Sequence, residues 1–240
     1  MINEYVVIDL EMTGLSPVKD KIIEVAAIKV VNGIIKDEYS QLVNPNDEIS
    51  EKITEITGIS NEMTKNAKYI EEIMQEILQF IKGMTLVGHN IQFDFSFIMQ
   101  NAYACGYKDY VNMEWYGIDT LKLSRKYLPA DVSKTLQNLC EMYGIQNDNH
   151  HRALNDVKIT KKLYQKLCDD YEKKDNLIIP ERLIYKPQKD RPPSIKQLEY
   201  VKKLLAFHNL QPEYSLSKMT QRELNRYADK IILRYGRMKM

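Results

Sequence analysis

The first fifth of the chain has the hydrophobic pattern of β-strands. An uninterrupted apolar run at residues 5–8 predicts a buried strand over residues 5–11. Two further segments, 22–31 and 34–43, are rich in β-branched residues and are separated by Asn32-Gly33. Asn-Gly between two such segments is the strongest short-range signal of a β-hairpin. The chain is therefore predicted to begin with three antiparallel strands.

Further along, apolar residues recur at helical spacing, as in the segment that contains Ile70, Ile73 and Ile77. Short apolar runs alternate with these segments. The predicted helices cover residues 66–82, 93–105, 133–143 and 152–171, and the predicted strands cover 85–88 and 113–118. This alternation predicts an α/β fold, in which helices pack on a mixed sheet.

The C-terminal quarter has a different pattern. Four of the eight prolines lie between residues 180 and 193, which predicts an extended linker over 176–193. Two amphipathic helices are predicted after the linker, and each is preceded by a capping-box pattern, Ser194-x-x-Gln197 and Thr220-x-x-Glu223. The sequence thus predicts a main domain over 1–175 and a small helical hairpin module over 194–240.

Composition narrows the class of protein. The chain has 240 residues, of which 44% are hydrophobic and 28% charged, as expected for a chain with a substantial core. It has no apolar run of membrane-spanning length and no signal-peptide pattern at the N-terminus. The three cysteines lack metal-type spacing and are interpreted as reduced core thiols. These features predict a cytoplasmic protein without a membrane partner, and they leave the oligomeric state open.

The charge is unevenly distributed along the chain. Residues 1–179 carry 20 basic and 27 acidic residues, a net charge of −7, and residues 180–240 carry 14 and 6, a net charge of +8. Tyrosines are interspersed among the basic residues of the C-terminal module. A basic segment with aromatic residues suits single-stranded nucleic acid. The alternative is a solvated helical hairpin that packs on the main domain or on another subunit, with its tyrosines forming the core.

Two carboxylates, Asp9 and Glu11, follow the first apolar run. Residues two apart on a strand point to the same face, so the two negative charges are expected to lie side by side. Such a pair is unfavourable unless a cation or another partner compensates it. Because there is no cluster of Cys or His, Mg²⁺ or Mn²⁺ is favoured over Zn²⁺. The alternative is a solvent-exposed strand end.

Two more acidic positions are candidates for the same site. Asp94 follows a short strand within an otherwise apolar segment, and Asp156 lies early in a predicted long helix, five residues after His151. On a helix, side chains five positions apart point about 140° away from each other. His151 and Asp156 can therefore converge only if His151 lies on the loop that enters the helix. The alternatives are a first-turn charge for each aspartate and a surface histidine.

Together these segments resemble the DEDDh (DnaQ-like) 3′→5′ exonuclease family. The motifs occur in order: D-x-E at Asp9 and Glu11, H-N-x-x-F-D ending at Asp94, and H-x-x-x-x-D from His151 to Asp156. Intervening segments resemble the exonuclease region of Gram-positive DNA polymerase III and its proofreading subunit. These are LVNP, ITEITGIS, LVGHN, IDTLKLSRKYLP and TLQNLCEMYGI. The resemblance covers residues 4–170 and implies a ribonuclease-H-like fold with a mixed five-stranded sheet flanked by helices.

The resemblance also implies a mechanism. Two divalent ions, Mg²⁺ or Mn²⁺, would be held by Asp9, Glu11, Asp94 and Asp156, with Asp9 bridging them. His151 would accept the proton of the attacking water, and His150 is the competing candidate for this role. The expected activity is hydrolysis of single-stranded DNA from the 3′ end to nucleoside 5′-monophosphates, in proofreading or repair.

By the same resemblance, two groups of residues are expected to contact the terminal nucleotide. The turn after the first motif would approach the sugar and base, and residues of the second motif would form the opposite wall. The predicted contacts are Met12, Thr13, Gly14, Leu15, His89, Asn90 and Phe93. Leu15 and Phe93 have the alternative of being core residues, and Asp119 is predicted to cap a helix rather than to bind metal. Glu24 and Asn155 match no motif position.

Two alternatives for the function remain open. Proofreading enzymes of the family usually have Thr where Met12 stands, and DLEMTGL resembles oligoribonucleases, so RNA is an alternative substrate. A protein of another class is the second alternative, namely an inactive nucleic-acid-binding protein or polymerase partner. The expected partners are a single-stranded 3′ end and, as a candidate, a DNA polymerase.

Overall fold

The computed structural model describes residues 2–146, 152–172, 178–189, 191–212 and 215–238. The chain forms two compact units, residues 1–187 and residues 188–240, which are described separately. None of the helices that the structure describes has the length and hydrophobicity of a membrane span.

The first unit is built on one mixed sheet. Its strands are β1 (Glu4–Met12), β2 (Ile22–Val31), β3 (Ile34–Leu42), β4 (Thr85–Gly88), β5 (Trp115–Asp119) and β6 (Glu181–Leu183). The order across the sheet is β3-β2-β1-β4-β5-β6. β1 pairs antiparallel with β2 and parallel with β4, so it lies in the interior of the sheet. The predicted hairpin at Asn32-Gly33 is confirmed, and both residues have positive φ angles, 50° and 78°.

Eight helices accompany this sheet among the described residues of the first unit. They are α1 (Glu51–Thr57), α2 (Asn61–Thr64), α3 (Ile70–Ile81), α4 (Ile91–Ala104), α5 (Lys108–Asn112), α6 (Thr120–Tyr127), α7 (Leu136–Tyr143) and α8 (Ala153–Glu172). The predicted helices over 66–82, 93–105, 133–143 and 152–171 correspond to α3, α4, α7 and α8. The sequence analysis did not predict α1, α2, α5 and α6, which have four to eight residues each.

Each face of the sheet packs against different helices because successive side chains of a strand point to opposite sides. Val6, Ile8 and Leu10 of β1 belong to a core that includes residues of α3 and α4. Tyr5 and Val7 face the other way and pack with α8. Asp9 and Glu11 continue the alternation of Tyr5 and Val7 along β1. Their side chains therefore point to the face of the sheet that α8 covers.

The predicted α/β class and flanked mixed sheet are confirmed, but the expected number of five strands is wrong. The sixth strand, β6, lies within the segment that the sequence predicted as a linker, and Leu183 of β6 is buried. Gly117 allows this packing, since a Cβ there would lie 2.8 Å from Leu183 Cδ1. The boundary between the compact units falls at Pro187 and Gln188, whereas the division into domains that fold independently stays a prediction.

The second unit contains α9 (Ile195–Phe207), a 3₁₀ turn (Leu216–Lys218) and α10 (Gln221–Tyr235). Both predicted capping boxes are present, at Ser194 and Thr220. The expectation of a helical hairpin is wrong, because α9 and α10 run in the same direction.

Two contacts establish the direction of these helices. Gln197 Nε2 donates to Asn225 Oδ1 near the two helix starts, at 3.0 Å, and His208 Nε2 lies 3.0 Å from Gly236 O at the two helix ends. The connecting segment therefore returns the chain to the starting end. Leu216 in that segment is buried with Leu204, Leu205 and Leu224 in the core of the unit.

Candidate active site

The site begins at the end of β1. Asp9 and Glu11 are half-buried and follow Val7, the last residue of β1 that pairs with β4. They continue the series of β1 side chains that faces α8. The two carboxylates thus extend from an interior strand at the point where its neighbour ends, a position that a ligand can reach from the sheet edge.

A third carboxylate comes from α8. Asp156 lies in the first turn of this helix and is 8% exposed. One ligand oxygen from each of Asp9, Glu11 and Asp156 lies within 4.8 Å of the other two. The structure therefore brings together acidic residues that are almost 150 positions apart in the chain.

The fourth predicted carboxylate, Asp94, is held beside β1. It is buried in the first turn of α4, 5% exposed, and its Oδ1 accepts a hydrogen bond from Leu10 N at 3.2 Å. Its negative charge raises the pKa of Asp9 and of Glu11. Asp94 thus contributes to the electrostatics of the cluster, although its oxygens are not in the set that lies within 4.8 Å.

The acidic residues raise one another's pKa values. Burial raises the pKa of Asp9 well above its ordinary value, and the charges of Asp94 and Asp156 raise it further. Burial and, to a smaller extent, the charge of Asp156 raise the pKa of Glu11 to about 8. Burial raises the pKa of Asp94 to about 8 as well. Without a cation, ionising the whole set near neutral pH is therefore unfavourable.

A divalent cation fits this set of donors. All the converging atoms are carboxylate oxygens, which hard cations such as Mg²⁺ and Mn²⁺ prefer. Among the residues that the structure describes, this is the group of acidic side chains with metal-ligand spacing, and it contains neither Cys nor His. A bound cation would compensate the mutual repulsion of the carboxylates and the loss of their hydration.

The sequence analysis did not identify Glu24, a buried residue that supports the site through its hydrogen bonds to the start of α8. Glu24 lies directly opposite Glu11 on β2 and is 1% exposed. Its carboxylate accepts hydrogen bonds from Arg152 Nη2 at 3.0 Å and from Ala153 N at 3.0 Å. It therefore anchors the first residues of α8, the helix that carries Asp156. The available signal was a single acidic residue within the apolar segment IIEVAAIKVV.

The turn after β1 has a defined conformation. Thr13 N donates to Lys21 O, and Lys21 N donates to Thr13 Oγ1, both at 2.9 Å. A Cβ on Gly14 would lie 2.6 Å from the Asp20 carboxylate, which accepts a hydrogen bond from Ser16 N. Glycine thus permits the close approach of these two segments.

Two apolar residues flank this turn. Met12 is half-buried against the core, whereas Leu15 is 82% exposed. The alternative of a core position is therefore excluded for Leu15. Its predicted contact with a base stays a prediction, as do the contacts of Met12, Thr13 and Gly14.

His89 and Phe93, predicted to contact the nucleotide from the opposite side, are held by contacts with neighbouring residues. His89 is half-buried, and its two ring nitrogens lie 3.0 Å from Thr120 Oγ1 and 2.9 Å from Lys134 O. Burial lowers the pKa of His89, so the ring is neutral at physiological pH. Phe93 packs against the core with its ring centroid 5.3 Å from that of Phe97. Their predicted substrate contacts stay predictions.

Asn90 and Asp119 connect the ends of β4 and β5. Asn90 is exposed, has a φ angle of 73° and precedes α4. Its backbone N–H donates to Asp119 Oδ1 at 2.9 Å, and the same carboxylate accepts from Leu121 N at 2.9 Å. Asp119 is therefore the N-cap of α6, as predicted. His150 and His151 lie outside the described residues.

The interior strand with its acidic end, the helix that adds a further aspartate and the mixed sheet define a ribonuclease-H-like nuclease. A sequence model of the family described as Exonuclease matches residues 6–164. The chain therefore belongs to the exonuclease family, whose members hydrolyse phosphodiester bonds and in general depend on divalent metal ions. The predicted resemblance to DEDDh exonucleases is confirmed.

Three comparisons illustrate the similarity. The chain is 40% identical over 167 residues to a DNA polymerase III PolC-type of Caldanaerobacter subterraneus subsp. tengcongensis, covering 70% of this chain and 12% of the relative. It is 37% identical over 168 residues to the DNA polymerase III subunit epsilon of Aquifex aeolicus, covering 69% and 81%. Exonuclease X in complex with 5′ overhanging duplex DNA has a TM-score of 0.56 at 25% identity, covering 70% of this chain and 93% of that one. The chain thus spans only a small part of the polymerase relative.

Proposed function

We propose that this chain is a 3′→5′ exonuclease that hydrolyses single-stranded DNA and releases nucleoside 5′-monophosphates, in proofreading or repair. The observation that carries the proposal is the convergence of Asp9, Glu11 and Asp156, whose ligand oxygens lie within 4.8 Å of one another. Such a set suits the binding of metal ions beside a phosphodiester. DNA is the proposed substrate because the two relatives described above are named as DNA polymerase III proteins, and the structure of Exonuclease X is that of a complex with DNA.

In this proposal Asp9, Glu11, Asp94 and Asp156 would hold two divalent ions, Mg²⁺ or Mn²⁺. When bound, the ions supply an activated water and compensate the charge of the transition state. The rigid β1 strand fixes Asp9 and Glu11, and the bond from Leu10 N fixes Asp94. The carboxylates are therefore already in place before the substrate arrives.

His151 is proposed as the general base. It precedes the first turn of α8, where Arg152 and Ala153 are fixed by Glu24. A neutral imidazole near pH 7 can accept the proton of the attacking water. The exposed Leu15 and the backbone of the 12–14 turn are proposed to contact the terminal nucleotide, opposite Asn90, Phe93 and the edge of His89.

Matched DNA and RNA oligonucleotides of one sequence test this function. The full chain should release mononucleotides from the 3′ end of the DNA strand in Mg²⁺ or Mn²⁺, and EDTA should stop the reaction. A strand labelled at its 5′ end shows the direction, because its label stays on the shortening product. Faster hydrolysis of the RNA strand would favour the exoribonuclease alternative. Failure to hydrolyse either strand with either metal would contradict an exonuclease function.

A further inference from the structure

The second compact unit is strongly basic. Residues 188–240 carry 12 Lys and Arg and 5 Asp and Glu, a net charge of +7, whereas residues 1–187 carry 22 and 28, a net charge of −6. The family model ends at residue 164, so it does not account for this unit. A unit of this size and charge attracts polyanions.

The basic residues of α10 form a stripe along one side of the helix, in which Arg222 and Arg226 are half-buried and Lys230 and Arg234 are exposed. Arg222, Arg226, Lys230 and Arg234 recur every fourth residue, so each lies about 6 Å further along the helix axis. The buried residues of α10 are Leu224, Ala228 and Ile231, which lie on a different side of the helix. The stripe is therefore directed away from the core of the unit. Two acidic residues of α10 adjoin the stripe, since Glu223 and Asp229 each lie three positions from Arg226.

A polar pocket adjoins the start of this stripe. It has a volume of about 430 Å³ and is lined by Gln188, Lys189, Arg191, Gln221, Arg222 and Asn225. Among the described residues, its lining consists of three cationic and three amide side chains.

Two hydrogen bonds hold the shape of the pocket. Gln221 N donates to Arg191 O at 2.7 Å, and Arg222 Nη2 donates to Lys189 O at 3.2 Å. The backbone thus fixes both walls. Arg222 Nη2 also donates to Gln188 Oε1 at 3.3 Å. The lining side chains of Lys189 and Arg191 offer donors of the kind that bind phosphate oxygens.

Aromatic rings lie at the other end of the stripe. Phe207 and Tyr235 are 51% and 45% exposed. Between them lies His208, whose ring centroid is 4.9 Å from that of Phe207 and 5.7 Å from that of Tyr235. Arg234, the last residue of the stripe, has its Cζ 5.5 Å from the Tyr235 ring centroid. Exposed rings beside an arginine are suited to stacking with unpaired bases.

We propose that the second unit binds a single strand of nucleic acid along α10. Phosphates lie in the pocket and on the basic stripe, and a base stacks on the Phe207–His208–Tyr235 cluster. The distance from Arg222 to Tyr235 is about 20 Å along the helix, which accommodates several nucleotides. The inference rests on the proposed function, because it identifies the bound polyanion with the exonuclease substrate. Since both units belong to one chain, binding here raises the local concentration of the strand.

Binding in EDTA tests the basic stripe without hydrolysis. The probe is a labelled single-stranded DNA of about 20 nucleotides. In the full chain, Arg226→Gln/Lys230→Gln should weaken binding about 20-fold at 0.1 M salt, since each phosphate contact contributes about 0.7 to the salt slope. The slope itself should fall by about 1.4.

The matched control is Lys36→Gln/Lys82→Gln, which removes the same charge from exposed lysines of the first unit. Lys36 lies at the start of β3, and Lys82 precedes β4, at the opposite end of the sheet from Asp9. This control should bind like the wild type. Equal weakening of DNA binding in both variants would show that affinity depends only on net charge. Unchanged DNA binding by the α10 variant would show that the α10 surface does not bind the strand. Either result overturns the proposal.

The aromatic cluster is tested separately. Tyr235→Ala should weaken binding about tenfold because a stacked ring is lost, and Tyr235→Phe should retain wild-type affinity. Wild-type binding by Tyr235→Ala would contradict the stacking role. Circular dichroism of each variant verifies that α10 remains folded.

Hydrolysis of a trinucleotide in Mg²⁺ separates this proposal from the proposed function, because so short a strand needs only the active site. The wild type and the α10 variant should hydrolyse it at equal rates. If the wild type does not hydrolyse it, the proposed function fails, and binding in EDTA still decides the role of α10.

Discussion

Asp9 is surrounded by acidic residues, since burial and then the charges of Asp94, Asp156, Glu11 and Glu24 all raise its pKa. If these carboxylates hold metal ions, Asp9→Asn should lower turnover by at least about 10²–10³-fold, the range for loss of a major electrostatic contribution. Calorimetric titration with Mn²⁺ should show weaker binding in the same variant. Asp37→Asn, an exposed change on β3, is the control and should retain activity. Full activity of Asp9→Asn would contradict the assigned site.

The raised pKa values predict how the stability of the metal-free protein depends on pH. The pKa of Glu11 rises from 4.5 to about 8 and that of Asp94 from 3.8 to about 8. Between these values the folded chain retains protons that the unfolded chain has lost. Raising the pH from about 5 to about 8 should therefore lower the free energy of unfolding. Below about pH 4 both states are protonated, and this effect disappears.

Thermal unfolding in EDTA measures this dependence. The melting temperature should fall as the pH rises through the window, and Mg²⁺ or Mn²⁺ should raise it more at pH 8 than at pH 5, because the ions bind the ionised carboxylates. Glu11→Gln should reduce both effects. A metal-free protein that becomes more stable between pH 5 and pH 8 would disprove the assigned burial of the carboxylates.

The identity of the general base can be tested with adjacent histidines. His151→Ala should lower turnover by about 10²–10⁴-fold, the usual range for loss of a general base. His150→Ala is the matched control and should have a small effect. The pH dependence of turnover should also lose its acidic limb in His151→Ala. The reverse pattern between the two variants would transfer the role to His150.

The sequence predicted where two acidic residues lie on their strand, but it did not predict their environment. The D-x-E spacing on a strand placed Asp9 and Glu11 on one face, as observed, and their need for a cation followed from charge. Nothing in the spacing indicated that Asp94 accepts a hydrogen bond from Leu10 N, since that contact joins residues 84 positions apart. Long-range contacts of this kind depend on how the elements pack.

At the scale of elements, the start of α8 depends on β2. Glu24→Gln should lower the free energy of unfolding by about 2 kcal/mol, because a charged acceptor of Arg152 and Ala153 N is lost. Turnover should fall about 10–100-fold, as for other groups that orient metal ligands. Urea unfolding and initial rates of hydrolysis measure the two effects.

Another ion pair of the same helix provides the control. Lys158 pairs with Glu38 at 2.9 Å, with 38% and 42% of the two side chains exposed. Lys158→Met should change stability by less than about 1 kcal/mol and leave turnover unchanged. If the effect of Glu24→Gln is equally small, Glu24 does not position α8.

Local patterns predicted some elements and not others. The Asn-Gly turn and the two capping boxes are complete within a few residues, so the hairpin and the starts of α9 and α10 could be read directly. β6 has three residues, of which only Leu183 is buried, so it has no recognisable period. The parallel direction of α9 and α10 depends on Leu216 packing into the core, which no local pattern encodes.

At the scale of the whole molecule, the two compact units carry opposite net charge and different kinds of site. The acidic unit holds the carboxylate cluster, whose charge repels the phosphodiester chain unless cations are bound. In our proposal the basic unit attracts that chain without cations. Division of the two tasks between the units would then account for the segregation of acids and bases along the sequence.

The place where the first unit ends can be tested by truncation. A chain ending at Pro187 retains β6, whereas a chain ending at Pro180 lacks it. The shorter chain should be less stable by about 3 kcal/mol, since it loses the buried Leu183 and the hydrogen bond from Tyr185 to Gln100. Within the longer chain, Leu183→Ala should reproduce most of that loss. Equal urea midpoints for the two truncated chains would mean that β6 does not stabilise the exonuclease unit, and the predicted end of the domain at residue 175 would then stand.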